Sequence, residues 1–154
     1  MIRRAGQGEK RTMRSDMSFE LAGGPYAVTA ARLALSDLDS HLEASIAFDV
    51  RLLVSELVTN SVKHAQVGED DSIMLGVKID GDVVRVEVCD SGPGFDPPPT
   101  APPDDADEGW GLFLVEQLAD EWGVERARQA VWFQIDCARR GSDSGESHSE
   151  TTAA

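Results

Sequence analysis

Ser55-Glu56-Leu57-Val58-Thr59-Asn60-Ser61-Val62-Lys63-His64-Ala65 is the stretch from which the rest of the chain can be read. Placed at about 100° per residue, Val50, Val54, Leu57, Val58, Ser61, Val62 and Ala65 share one broad face of a helix over about Ala44–Ala65. Glu56, Thr59, Asn60 and Lys63 fall on the opposite side. Glu56, Asn60 and His64 are spaced i, i+4, i+8, and Lys63 lies about 20° from Glu56 on the same wheel. A carboxylate, a carboxamide and a cation thus leave one stripe of one helix. The Asn60 oxygen is a hard, neutral donor suited to magnesium. Glu56 can orient a water or take a proton from an incoming hydroxyl. Taken alone, the stripe also fits the solvated face of an amphipathic helix.

Downstream, Ser72–Ile79 and Val83–Cys89 flank Asp80-Gly81-Asp82, the pattern of a β-hairpin. Asp90-Ser91-Gly92-Pro93-Gly94 follows the second strand directly. A carboxylate at a strand end can accept the exocyclic amine of adenine, and glycines just beyond let the backbone pass close to a flat ring. Phe95–Glu108 holds five of the seven prolines and five acidic residues, which argues for a loop and against a regular element. Glu108-Gly109-Trp110-Gly111-Leu112 then opens a helix over Gly111–Asp120, where backbone amides and the helix dipole favour phosphate. Each glycine motif by itself also fits a plain turn.

Upstream, Met17–Leu21 reads as a short strand ended by Gly23-Gly24, and Pro25 suits the first turn of a helix to about Leu38. Two closing strands are expected at about Gly123–Ala127 and Val131–Cys137. Paired strands are adjacent in sequence and helices do not alternate with them. The fold class is therefore α+β: a two-layer α/β sandwich with a mixed, mostly antiparallel sheet and helices on one face. The folded domain is expected over 17–138. Residues 1–16, basic and without apolar periodicity, read as a disordered tail, as do the Ser/Gly/Glu-rich residues 139–154.

The 154 residues fit one domain, with 41% apolar and 27% charged side chains. The net charge of −14, from 14 basic and 28 acidic residues, makes nucleic acid a poor direct partner. No apolar run is long enough to span a bilayer. The basic opening lacks an apolar segment behind it, which excludes a secretory signal. Cys89 and Cys137 lack metal-ligand spacing, and a reducing cytoplasm is the expected setting.

Together, in this order and with this separation, the motifs resemble the GHKL ATPase superfamily, and within it the small anti-sigma-factor serine kinases. Glu56…Asn60 with Lys63/His64 looks like the N box, Asp90-x-Gly92-x-Gly94 the G1 box, and Gly109-x-Gly111 the G2 box. The resemblance covers about Phe19 to Ile135. It implies the Bergerat-type ATP-binding fold and bound ATP–Mg²⁺. Asn60 would coordinate the metal, and Asp90 would bind adenine. Lys63, His64, Gly92, Gly94, Gly109, Gly111 and Leu112 would line the nucleotide, and Glu56 would be the catalytic base toward a partner protein's serine. The implied partners are an anti-sigma-factor antagonist and a sigma factor, with a homodimer as a further expectation. One departure stands out. Where sporulation kinases of this group carry a basic residue shortly before the G2 glycines, Asp104-Asp105-Ala106-Asp107-Glu108 is wholly acidic. That motivates an alternative: a nucleotide-dependent protein-binding module with little or no kinase activity.

Overall fold

The computed structural model describes residues 2–7, 14–63, 67–91 and 110–143. Chain order is β1 (Ile2–Gln7), β2 (Arg14–Ala22), α1 (Ala27–Ala34), α2 (Ala44–Lys63), β3 (Ser72–Asp80), β4 (Val83–Asp90), α3 (Trp110–Leu118), β5 (Glu121–Glu125), β6 (Ala130–Asp136) and α4 (Cys137–Asp143). Short 3₁₀ turns, Ser36–Ser40 and Arg126–Arg128, join α1 to α2 and β5 to β6.

The six strands form one sheet in the order β1-β2-β3-β4-β6-β5. Every pairing described is antiparallel, so the sheet is simpler than the mixed one expected. Alternation explains the layering. Phe19 and Leu21 of β2, Leu75 and Val77 of β3, Val86 and Val88 of β4, and Phe133 and Ile135 of β6 all point to one buried side. The intervening residues stay exposed or half-buried, the pattern of an antiparallel sheet with a single covered face. Helix α1 packs on β2 and α2, while α2 packs on β4 and α3. Leu53, Val54 and Val58 of α2 are fully buried there, each adding on the order of 1.5–3 kcal/mol of apolar transfer.

Three boundaries differ from expectation. Residues 1–16 include structure: β1 pairs with β2 from Ile2↔Leu21 to Gln7↔Met17, and β2 begins at Arg14 rather than Met17. Arg3, Arg4 and Gly6 give β1 no apolar alternation to reveal it; a backbone ladder needs none. The helix expected to run from Pro25 to Leu38 stops at Ala34 and continues as the 3₁₀ turn, with Leu38 N–H donating to Leu35 O. Ser36 and Asp37 are weak helix formers, which suits a tighter turn there. At the other end α4 occupies part of the expected tail. Arg140 donates to the Asp49 carboxylate and to Leu118 O, tying α4 to the helical layer. Residues 144–154 and the loop expected at 95–108 lie outside the described residues. Among the described residues, no helix is long and apolar enough to cross a membrane.

Candidate functional site

Helix α2 hides polar groups as well as apolar ones. Ser55, Asn60 and Ser61 are buried along with Leu57 and Val58. Asn60, on the side of the helix opposite its apolar face, is only 7% exposed, which rules out a merely solvated stripe at that position. The wheel shows one helix in isolation. Neighbours on more than one side, α1, α3 and β4, leave little of α2 open to water. Glu56 and Thr59 are half-buried and Lys63 is exposed.

The buried hydroxyls of this helix are used internally. Ser55 Oγ donates to Arg51 O at 2.7 Å and accepts from Arg32 Nε at 3.2 Å, a link from α2 to α1. Thr59 Oγ1 donates to Ser55 O at 2.7 Å. Asn60 is different: its buried Nδ2 has no hydrogen-bond partner among the described residues. Leaving such a donor unpaired costs about 1–3 kcal/mol, and most buried polar groups avoid it. The described residues therefore leave one buried donor of this helix unsatisfied.

Asp90 closes β4 and is 8% exposed. Its position is fixed by a clasp one residue further on. Ser91 N–H donates to Ser72 O at 3.1 Å, and Ser91 Oγ accepts from Ser72 N–H at 3.0 Å. This clasp extends the β3–β4 ladder past Asp90, so the strand end cannot fray. The exit from α2 lies at the same end. Val67 N–H reaches back to Ser61 O at 3.3 Å, and Gly68 follows directly. Gly23 lies so near this segment that a Cβ there would sit 2.2 Å from Gly68 O. Ala22 of β2 pairs with Ser72, and Ile73 with Asp90. The ends of α2, β2 and β4 and the start of β3 thus meet at one end of the sheet, with Asn60 and Asp90 on two of them.

Gly111 and Leu112 stand in the first turn of α3, which packs against α2. His64, Gly92, Gly94 and Gly109 lie outside the described residues.

Residues 22–135 match the family model for the histidine kinase-like ATPase domain. The chain belongs to the histidine kinase-like ATPase family. Its curated relatives include proteins called serine-protein kinase RsbW. The one from Listeria monocytogenes serotype 4a (strain HCC23) is 37% identical over 124 residues, covering 71% of this chain and 79% of the relative. That of Oceanobacillus iheyensis is 32% identical over 119 residues, 68% and 75% of the two chains. That of Staphylococcus aureus (strain MRSA252) is 35% identical over 109 residues, 61% and 69%.

For an ATPase-family domain, the two buried polar side chains have a ready use. A carboxamide offers an oxygen to a hard cation and an N–H to a phosphate oxygen. A carboxylate at a strand end accepts an amine. Sequence reasoning missed the Ser55–Arg32 link and the Ser91–Ser72 clasp. Ser91 follows Asp90 directly and was the available signal; Arg32 carried none. Cys89 is half-buried on the other side of the sheet, where Sγ donates to Arg128 O at 2.7 Å. Burial pushes its thiol pKa up, which keeps it in the donating form.

Proposed function

We propose that this chain is an ATP-dependent protein serine kinase of the anti-sigma-factor type, acting in the cytoplasm as a homodimer. The observation that carries this reading is the buried amide of Asn60, without a partner among the described residues, at the same end of the sheet as buried Asp90. The names of the relatives supply the reaction class.

Asn60 would hold Mg²⁺ through its oxygen, and its N–H would meet a phosphate oxygen. Asp90 accepts the adenine amine. Gly92, Gly94, Gly109, Gly111 and Leu112 would line the nucleotide together with Lys63 and His64, and the Lys63 ammonium would bring positive charge to its phosphates. When bound, ATP–Mg²⁺ supplies the phosphoryl group and neutralises part of its charge. Glu56, half-buried one helical turn from Asn60, takes the proton of the partner serine hydroxyl. The phosphate acceptor would be an anti-sigma-factor antagonist, and a sigma factor the second partner.

The acidic run Asp104–Glu108 favours a second reading, a nucleotide-gated binding module with little or no transfer. Calorimetry with ATP–Mg²⁺ and a phosphotransfer assay separate the two. Asn60→Ala should weaken ATP binding at least about tenfold. Glu56→Ala should retain ATP binding and lose transfer about 10²–10⁴-fold, the usual contribution of a general base. Transfer by Glu56→Ala at the wild-type rate would remove the base assignment. Tight ATP binding by the wild type with no transfer to any antagonist would favour the module.

A further inference from the structure

The chain continues past residues 22–135, the stretch that matches the family model, and folds there into α4. The nucleotide site described above does not involve this helix. Arg140 of α4, half-buried, donates from one guanidinium nitrogen to the Asp49 carboxylate and from another to Leu118 O. Asp49 stands in the second turn of α2, and Leu118 is the last residue of α3. Beside this contact Arg139 lies 3.6 Å from Asp120, whose other carboxylate oxygen accepts the Asp136 N–H at 2.6 Å. The end of the chain thus grips the C-terminal end of α3 and couples it to the start of α2.

That grip matters because packing holds α3 only lightly. Helix α2 buries ten residues. Among the described side chains of α3, from Phe113 to Leu118, Val115 alone is buried, and Phe113, Leu114 and Leu118 are half-buried. Apolar stabilisation scales with the area taken out of water, so α3 gains much less of it than α2. The last carbonyls of a helix have no partner within it, and a guanidinium at that end satisfies one while matching the helix dipole. Its second bond, to a carboxylate, is of the strong charge-assisted kind.

Helices α2 and α3 pack along each other, and Arg140 joins the start of one to the end of the other, so they run antiparallel. At about 1.5 Å per residue, Asn60 lies roughly 16 Å from Asp49, and Gly111 roughly 10 Å from Leu118, in the same direction. The pair resembles tweezers with Arg140 at the closed end. We infer that Arg140 is a positioning residue for the nucleotide: it clamps α2 and α3 at their far ends, so that Gly111 stays opposite Asn60 and the phosphates are held from both sides. The inference rests on the ATP-binding reading above and adds to it a residue from outside the family-matched stretch. Without the clamp α3 swings on its light packing. Apparent affinity then falls by the fraction of time that the pair is closed.

Calorimetry with ATP–Mg²⁺ and amide hydrogen exchange on the nucleotide-free full chain test this. A pair closed about a tenth of the time would make Arg140→Ala bind ATP about tenfold more weakly. Exchange should quicken in peptides spanning 113–120 and stay unchanged in the sheet. Arg140→Lys brings one ammonium to two acceptors and should recover part of both losses. Arg51→Ala is the control. Arg51 also joins a carboxylate, that of Asp39, to backbone carbonyls, those of Leu35 and Ser36, without a bond to α3 among the described residues. Its loss should quicken exchange at the 3₁₀ turn Ser36–Ser40 and leave ATP affinity as it was. Should Arg140→Ala misfold, Asp49→Ala decides, with a loss of affinity in the same direction. Wild-type affinity in the folded variant that decides would overturn the clamp. An equal loss in Arg51→Ala would overturn it too, because any break in the helical layer would then suffice. A wild type that binds no ATP–Mg²⁺ would overturn the nucleotide reading and the clamp together; the other results leave that reading standing.

Discussion

Helices α1 and α2 lie side by side; both leave apolar side chains in water, Phe48 of α2 at 65% exposure among them, but α2 also buries polar ones. On and just before α1, apolar groups face water: Leu33 is 62% exposed and Tyr26 79%. On α2, polar groups are taken out of water, and the Asn60 amide finds no partner among the described residues. The two departures differ in energy. Scattered exposed apolar residues are ordinary on any soluble surface and cost little. A buried, unpaired donor costs about 1–3 kcal/mol and persists only where something else justifies it. The polar departure on α2 therefore points to a ligand more strongly than the apolar one on α1.

Swapping equivalent side chains on the two helices gives the largest expected contrast. Leu53→Ala on α2, at a fully buried position, should cost about 2–5 kcal/mol in urea unfolding. Leu33→Ala on α1 should stay within about 0.5 kcal/mol of wild type. Similar losses at both would mean that α1 is covered in solution.

Asn60→Leu sharpens the contrast at the site itself. It removes the orphaned donor at similar volume, so the nucleotide-free protein should be as stable as wild type, or up to ~1–3 kcal/mol more so. Nucleotide affinity should fall at least about tenfold in calorimetry. A loss of stability with unchanged affinity would make Asn60 a structural residue.

The smallest effect lies at the junction of the two helices. Arg51 of α2 donates to Asp39 at 2.5 Å and to the Leu35 and Ser36 carbonyls, holding the 3₁₀ turn. The Arg51 hydrogen bond lowers the Asp39 pKa. A carboxyl lowered by folding stabilises the protein above its unfolded value of about 4, and that contribution fades as pH falls below it. Thermal melts of wild type and Asp39→Asn should therefore show a small gap at pH 7 that shrinks as the pH falls below about 4. A gap that does not shrink on acidification would trace to something other than this ion pair.

Strong local periodicity made much of the fold readable. The start of α2 at Ala44, the hairpin around Asp80-Gly81-Asp82 and the two closing strands lie within a few residues of their expected places, because each repeats its own pattern over several residues. β1 was not readable, since its evidence lies in the partner strand. Of the expected site, Glu56, Asn60, Lys63 and Asp90 have described positions; their roles rest on the proposal above.

By itself, then, the sequence determined the α+β class with a mostly antiparallel sheet, the order of most of its elements and the residue types offered to a nucleotide. Those depend on spacing along the chain, where helix and strand periods differ and show directly. Only the tertiary structure decided that Asn60 is enclosed, its amide unpaired among the described residues, and that Ser91 is bonded to Ser72 behind Asp90. It also set Arg140 of α4 across the ends of α2 and α3. Burial is set by what neighbouring elements bring from distant parts of the chain, and no local pattern contains that information.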